Sequence, residues 1–390
     1  MTGGPLEDEA FAFLFAKIVA SHRDPAPSKR KVRGRVARVA RGFDLFGALF
    51  VWAELARHAV AAPKLETRGR LAVLDHSSGM ARRFLDAHVA RAPWALRRWR
   101  APFPSFVEAR ALAKTIRRRS AGRPADERAV AAYVTVKTAR WRKVYDRLFA
   151  EGGVDALVVN DDMEPRRVAA TLSALQAGRR LGYFVMAPGR RRVPPFPIDT
   201  LFCFEAGQAS DPYAARLRCL WREGSASAAA PRPRRERYRV GLVMNAHTDD
   251  HLIRDAEQAL LRHPRCASVH VRVHPNYRSA AYAAPTVPLE RFLEDVDVVV
   301  IGNSGSGVEI ALAGIPQLYS ERLDYAGRDA NALVARGFVR DDPRPLDAVD
   351  FDAAVEFRAD PAFVERLAPF LQAPAGTVSV ADGLKALSAA

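Results

Sequence analysis

The residues best suited to chemistry lie in Asp297–Tyr319. Val298–Ile301 is an apolar run too short for a helix and bounded by turn residues, so it reads as a buried strand. Gly302-Asn303-Ser304-Gly305-Ser306-Gly307 follows, a loop of small residues whose backbone can come close to a ligand. Val308–Ala313 reads as a helix stopped by Gly314 and Pro316, and Ile315–Tyr319 as the next strand. Strand, loop and helix start together make an anion site. Backbone N–H groups and the helix dipole point into the loop, and the Ser304 and Ser306 hydroxyls add donors. The same residues also suit a turn with no ligand. Glu309 can accept hydrogen bonds from a ribose diol or complement the dipole of the first turn.

Three further groups sit where strands are expected to end. His274-Pro275 follows the strand Ser268–Val273. Asp161-Asp162 follows the strand Asp155–Val159 and precedes Pro165, which suits the first position of a helix. Asp75-His76 follows the strand Arg70–Leu74. In open α/β sheets the ligand crevice lies at the carboxyl ends of the strands, so all three groups stand in the right place. Paired acids such as Asp161 and Asp162 favour proton transfer, because repulsion raises one pKa; either can instead cap the helix that follows. Arg190 and Arg191, in the basic, proline-rich loop Ala187–Pro197, can grip a phosphate or an acidic acceptor, or lie solvated.

The elements that must position these groups alternate as strand, loop and helix, which predicts an α/β fold of two Rossmann-like halves. Residues 1–65 read as a basic helical region, 66–221 as a first α/β unit and 222–237 as a linker. Residues 238–375 read as a second unit, and 376–390 as a final helix able to pack back on the first. Ala92–Pro104 reads as irregular and Arg328–Arg336 as a helix. A chain of 390 residues suffices for two domains. It has no uncharged apolar stretch of about 18 residues, which predicts no membrane-spanning helix. Cys203, Cys219 and Cys266 lack metal-ligand spacing, and together with an acidic start to the chain they fit a reducing cytoplasm.

Charge is the strongest compositional signal. Of the formal +16, about +14 falls in the first 120 residues. In that region Val32, Val36, Val39, Phe43, Phe46 and Phe50 recur at helical spacing, with Arg33, Arg35, Arg38 and Arg41 beside them. Such a helix can lie on an anionic membrane, with Phe43 and Phe46 dipped and Arg33 and Arg38 on headgroups, or pack on its own domain. Nucleic acid is a poor fit, since no binding motif is present.

Two Rossmann-like halves carrying these motifs resemble GT-B glycosyltransferases, in particular bacterial sialyltransferases and capsule or lipopolysaccharide Kdo transferases. His274-Pro275 resembles their nucleotide-contacting HP motif. Ser304–Ser306 resembles their phosphate-binding serine motif, and Asp161-Asp162 their acidic motif. Glu309 with Gly314-Ile315-Pro316 fits the broader ribose-binding pattern. Met163 stands where that acidic motif has glycine, and Gly305 splits the serine motif. The resemblance implies an inverting transferase that needs neither metal nor cofactor, with Asp162, Asp161 or His76 as base. It implies a nucleotide-sugar donor, a CMP-linked acidic sugar first. The acceptor is a surface glycan or glycolipid, met at the cytoplasmic face of a bacterial membrane. Two alternatives remain at this stage: a CDP-alcohol polyol-phosphate transferase and a non-catalytic membrane-docking scaffold.

Overall fold

The computed structural model describes all residues except 1–4, 24–29, 75–83, 87–93, 161–162, 186–194, 210–214, 222–228, 246–247, 276, 278–280, 283–287, 324–327, 330 and 389–390. α1 (Pro5–Arg23) buries Ala10, Leu14 and Ile18, which recur every four residues on one face. α2 (Arg30–Val60) bends at Gly47, whose φ of 51° and ψ of −120° leave the helical region. Across this bend Phe50 folds over Gly42, where a Cβ would lie only 2.3 Å from the ring. The apolar stripe expected along α2 divides there. Val36 and Val39 are core, Val32, Phe43 and Phe50 are half-buried, and Phe46 is 61% exposed. Arg33 is half-buried and Arg38 exposed.

β1 (Lys64–Arg68) and β2 (Leu71–Leu74) form a hairpin, with Gly69 at φ 56° in the turn, and β3 (Trp94–Arg98) pairs antiparallel with β1. Sequence reasoning misses β1 and β3 and leaves 92–104 irregular. β3 is the sheet's edge strand, where charged residues guard against pairing with another chain, and β1 lies between it and β2 with Lys64, Glu66 and Arg68 diluting the apolar signal. α3 (Phe106–Ser120) starts in a capping box: Ser105 Oγ accepts from Glu108 N at 3.1 Å, and Glu108 Oε2 accepts from Ser105 N at 2.7 Å. α4 (Ala125–Glu151) is the longest unbent helix and packs against α1, α2 and α3.

β4 (Ala156–Asn160) leads to α5 (Pro165–Gln176), which also packs on α4 and has Pro165 in its first turn as expected. Its N-cap is Glu164, neither of the two aspartates. β5 (Arg180–Phe184), β6 (Ile198–Cys203), the short α6 (Ala206–Ala209) and β7 (Ala215–Leu220) complete the first unit. The sheet order is β3-β1-β2-β4-β5-β6-β7, with β2 and β4–β7 parallel.

The segment expected to be a linker docks where it is described: Ala229 N donates to Leu312 O at 2.8 Å and Arg232 N to Gly314 O at 3.1 Å. β8 (Tyr238–Val243), α7 (Asp250–Arg262), β9 (Cys266–Arg272), α8 (Leu289–Glu294), β10 (Val298–Ile301), α9 (Gly307–Leu312), β11 (Gln317–Tyr319) and β12 (Arg340–Asp341) follow. They give a five-stranded, all-parallel sheet in the order β12-β11-β10-β8-β9. Two mostly parallel sheets with helices are therefore present, as expected of an α/β chain.

The helix expected over Arg328–Arg336 is a run of turns in its described part. Asp329 and Ala332 take φ of 43° and 53°, and the Asp329 carboxylate accepts from Val334 N at 3.1 Å and Ala335 N at 2.8 Å. A side chain that bonds its own backbone in this way competes with the helix. α10 (Phe351–Ala359) and α11 (Pro361–Leu371) come next. α12 (Val380–Ser388) crosses back onto the first sheet, where Thr200 Oγ1 donates to Gly383 O at 3.3 Å. Gly182 leaves room for Leu387, which a Cβ there would meet at 2.8 Å. The two units also meet beyond β6: buried Glu205 takes a two-pronged ion pair from Arg336, with Arg336 Nη1 at 3.0 Å from Oε1, and the Phe204 and Phe370 rings stand 5.8 Å apart.

Candidate functional site

Parallel pairing fixes where the expected residues stand. Val243 of β8 lies beside Ile301 of β10 and beside Arg272 of β9, so the segments that leave these strands share one edge of the second sheet. His274-Pro275 leaves β9 and Asn303–Gly307 leaves β10, with β8 between them, a separation of about 10 Å from strand spacing. His274 is half-buried and Pro275 exposed.

The β10 loop is closed on itself more than its composition suggests. Ser304 N donates to Gly302 O at 2.9 Å and Gly307 N to Ser304 O at 3.2 Å. Ser306 N reaches Ser304 Oγ at 3.4 Å, and the two serine hydroxyls are 2.7 Å apart. Three of the N–H groups expected to face a ligand are thus engaged inside the loop. Ser306 occupies the N-cap of α9, yet its hydroxyl makes no capping bond and turns to Ser304 instead. α9 is only 6 residues long, so its dipole adds little. Gly307 packs closely: a Cβ there would stand 2.8 Å from Leu333 Cδ1, so the leucine would have to shift. Glu309 is half-buried in the first turn of α9.

Three residues that sequence reasoning missed hold this loop. Asn245, buried two residues past β8, donates Nδ2 to Asn303 O at 3.0 Å. Asn303 Nδ2 reaches Tyr319 OH at 3.3 Å, and Gln317 Nε2 donates to Gly307 O at 2.9 Å. The signal for Asn245 was present: Val243 and Ile301 are register partners, so the Asn two residues beyond each strand are neighbours by construction. Buried amides with partners on adjacent strands rigidify a rim.

His76, Asp161, Asp162, Arg190 and Arg191 lie outside the described residues. The strands that lead to them are described. β2 ends at Leu74, β4 at Asn160 and β5 at Phe184, side by side and parallel. Arg167, buried in α5, donates Nε to Leu74 O at 3.5 Å, and Lys17 Nζ donates to Met163 O at 2.7 Å. Helix residues therefore brace the carboxyl edge of the first sheet.

Part of the positive charge in the first half is held in internal pairs. Glu54, buried in α2, accepts from Arg57 at 2.7 Å, Lys137 at 2.8 Å and Arg140 at 3.0 Å. Burial alone would raise the Glu54 carboxyl, but hydrogen bonds from Lys137 and Arg57 and the nearby charges hold it below the usual carboxylate range. Burial pushes the pKa of His58 down to about 3, helped by the Arg140, Lys137 and Arg57 cations, and its ring lies 4.1 Å from that of Trp141. Arg142 pairs with Glu7 at 3.0 Å and Arg119 with Asp8 at 2.8 Å. The three cysteines are free and buried, and burial pushes the Cys203 thiol up to about 12. Among the described residues no cluster of three His, Cys, Asp or Glu could hold a metal, and no helix is long and apolar enough to cross a membrane.

No family model matches the chain, and no curated protein matches it. Solved structures similar to it include the calicheamicin glycosyltransferase CalG4, at 16% identity over 60% of this chain and 72% of that one, with a TM-score of 0.38. The glycosyltransferase SnogD from Streptomyces nogalater is similar at 13% identity over 66% and 79%, with a TM-score of 0.41. A UDP-N-acetylglucosamine 2-epimerase is similar at 15% identity over 63% and 74%, with a TM-score of 0.33.

Proposed function

We propose that the chain is a glycosyltransferase that moves a sugar from a nucleotide donor to a hydroxyl of a glycan or glycolipid. The observation that carries the reading is the shared edge of the second sheet, where His274-Pro275 and the Ser304/Ser306 pair flank β8. The two hydroxyls, 2.7 Å apart on a loop pinned by Asn245 and Gln317, bond each other, so one O–H is spent within the pair and the other is left to donate to a phosphate oxygen. His274 contacts the nucleotide from the other side of β8, and Glu309 takes the ribose diol.

The reaction is a single inverting displacement. A base on the edge of the first sheet, Asp162 with Asp161 and His76 as its competitors, takes the proton of the acceptor hydroxyl. That oxygen attacks the anomeric carbon as the bond from this carbon to the donor phosphate breaks. The electron pair leaves with the nucleotide, whose new charge Ser304, Ser306 and His274 stabilise. Each such donor is worth about 3 kcal/mol of barrier. Arg190 and Arg191 steer an acidic acceptor or donor group.

A CMP-linked acidic sugar is the donor this reading favours, through the HP and serine motifs. The acceptor is met at an anionic membrane, on which Phe46 and the cations of α2 dock. The test is release of free nucleotide from CMP-, CDP-, UDP- and GDP-linked donors by the purified chain. Release from one sugar-linked donor, lost in His274→Ala, is expected. Release from CDP-polyols alone, or from none of the panel, overturns the reading.

A further inference from the structure

A cavity of about 690 Å³ lies among the helices of the first half, between α1, α3, α4 and α5, and no residue of the second unit lines it. Its walls include Leu14 of α1, Leu112 of α3, Val134 and Ala139 of α4, and Val168 and Leu172 of α5. Packed helices leave few voids larger than a water molecule, whereas sites for small molecules enclose roughly 300–1,000 Å³. The size therefore belongs to the second class.

The surroundings define what fits. The charged groups around the cavity are largely paired with one another: Lys143 with Glu108 at 2.9 Å, Arg119 with Asp8 at 2.8 Å, and Arg142 with Glu7 at 3.0 Å. A free anion would have to displace these acids, so the occupant is apolar. Of the three threonines lining the space, Thr115 donates to Ala111 O at 3.2 Å, as helical threonines do. The hydroxyls of Thr135 and Thr138 are buried with no protein partner, a cost that an oxygen atom on a ligand can relieve.

An exposed apolar strip leads to this space. Leu45, Phe46 and Leu49 stand out around the bend of α2 at 67%, 61% and 57% exposure. Trp52, one turn beyond Leu49, donates Nε1 to Pro104 O at 3.0 Å, and its ring is 6.2 Å from that of exposed Phe103. Exposed Phe106 and Val107 follow, and Val107 lines the cavity. Arg117 and Arg128 stand beside Leu45 and Phe46, which gives the start of the strip the basic, apolar character of a surface that meets anionic lipid.

We propose that this cavity holds the hydrocarbon chain of a membrane amphiphile, which enters along the strip from Phe46 to Val107. Val168 lies three residues into α5, the helix that follows β4, about 5 Å along the helix axis from its start at Pro165. A chain seated against Val168 therefore keeps its polar end near that helix start. The assignment of this amphiphile as the sugar acceptor rests on the proposed transfer; the binding of the chain does not.

The probe is a series of alkyl maltosides with eight, ten and twelve carbons, titrated below their micelle concentrations into the full-length protein by calorimetry. One molecule is expected to bind, with affinity rising about tenfold for each two carbons added, and maltose alone is expected not to bind. Ala139→Phe fills the cavity from α4 and Val168→Phe from α5, and each is expected to weaken the twelve-carbon compound at least tenfold. Should one of these variants not fold, the other and the wild-type chain-length series still decide. Affinity indifferent to chain length, or unchanged in the folded filled variants, overturns the proposal. A nucleotide titration run beside it separates the two readings. Chain binding without any nucleotide response sinks the transferase and leaves the cavity site. Nucleotide binding without chain-length dependence sinks the cavity site alone.

Discussion

The edge of the second sheet and the helical layer of the first half solve opposite problems. At the edge, small residues and neutral amides hold a loop in place: Asn245, Gln317 and Tyr319 each fasten part of Asn303–Gly307. In the helical layer, charged residues are taken out of water and neutralised in groups, with Glu54 serving Arg57, Lys137 and Arg140. The first arrangement fixes the Ser304 and Ser306 hydroxyls 2.7 Å apart on that loop. The second neutralises a buried subset of the cations and borders an apolar space. The comparison teaches that the cations of a basic sequence divide by burial: Lys137 and Arg140 hold helices together through Glu54, while those of α2 such as Arg38 stay exposed.

The largest effect should come from breaking the charged group. Glu54→Ala leaves Lys137 and Arg140 without their carboxylate partner, and is expected to cost about 3–5 kcal/mol in urea unfolding. A loss below 1 kcal/mol would mean that these cations reach water and that the layer is not built as described. On the other side of the comparison, Gly314 takes φ 77° and a Cβ there would stand 2.2 Å from Ala230 O. Gly314→Ala should cost about 2–3 kcal/mol, by strain and by lifting the 229–232 segment off α9.

How much of this could be read beforehand differs between the two regions. Val298–Ile301 and Ala156–Asn160 were legible because fully buried parallel strands are short unbroken apolar runs. The placement of His274 and Ser304 just past strand ends was legible because the strands before them could be read from the sequence. β1 and β3 were not, since charged residues interrupt the apolar run in both, Lys64, Glu66 and Arg68 in β1 and Arg97 and Arg98 in the edge strand β3. Nor was the break at 328–336, where Asp329 bonds its own backbone against a helical pattern. The cavity was invisible because it is made of four helix faces at once, and each face alone reads as an ordinary amphipathic stripe.

A smaller and pH-dependent effect sharpens the contrast. The unfolded chain protonates His58 near pH 6.5, whereas the folded chain resists until about pH 3. Stability at this site is therefore present above pH 6.5 and falls as pH drops through that window, by up to about 1.4 kcal/mol per pH unit. His58→Phe keeps a ring against Trp141 and removes this slope, so its melting temperature should depend less on pH between 7 and 4.5 than that of the wild type. An equal slope in both would place the acid sensitivity elsewhere. Smallest is Ser306→Ala, which deletes one exchangeable hydroxyl contact and should change unfolding free energy by less than about 1 kcal/mol, as read in the same urea titrations.

That small structural cost makes Ser306→Ala the sharpest probe of the proposed nucleotide site. The direct measurement is a calorimetric titration of CMP, CDP, UDP and GDP into wild type, Ser306→Ala, His274→Ala and Ala139→Phe. One nucleotide should bind the wild type, about tenfold more weakly in each of the first two variants and with unchanged affinity in the third. Failure of all four nucleotides to bind, or equal binding to wild type and to the serine and histidine variants, would contradict a nucleotide site on this edge.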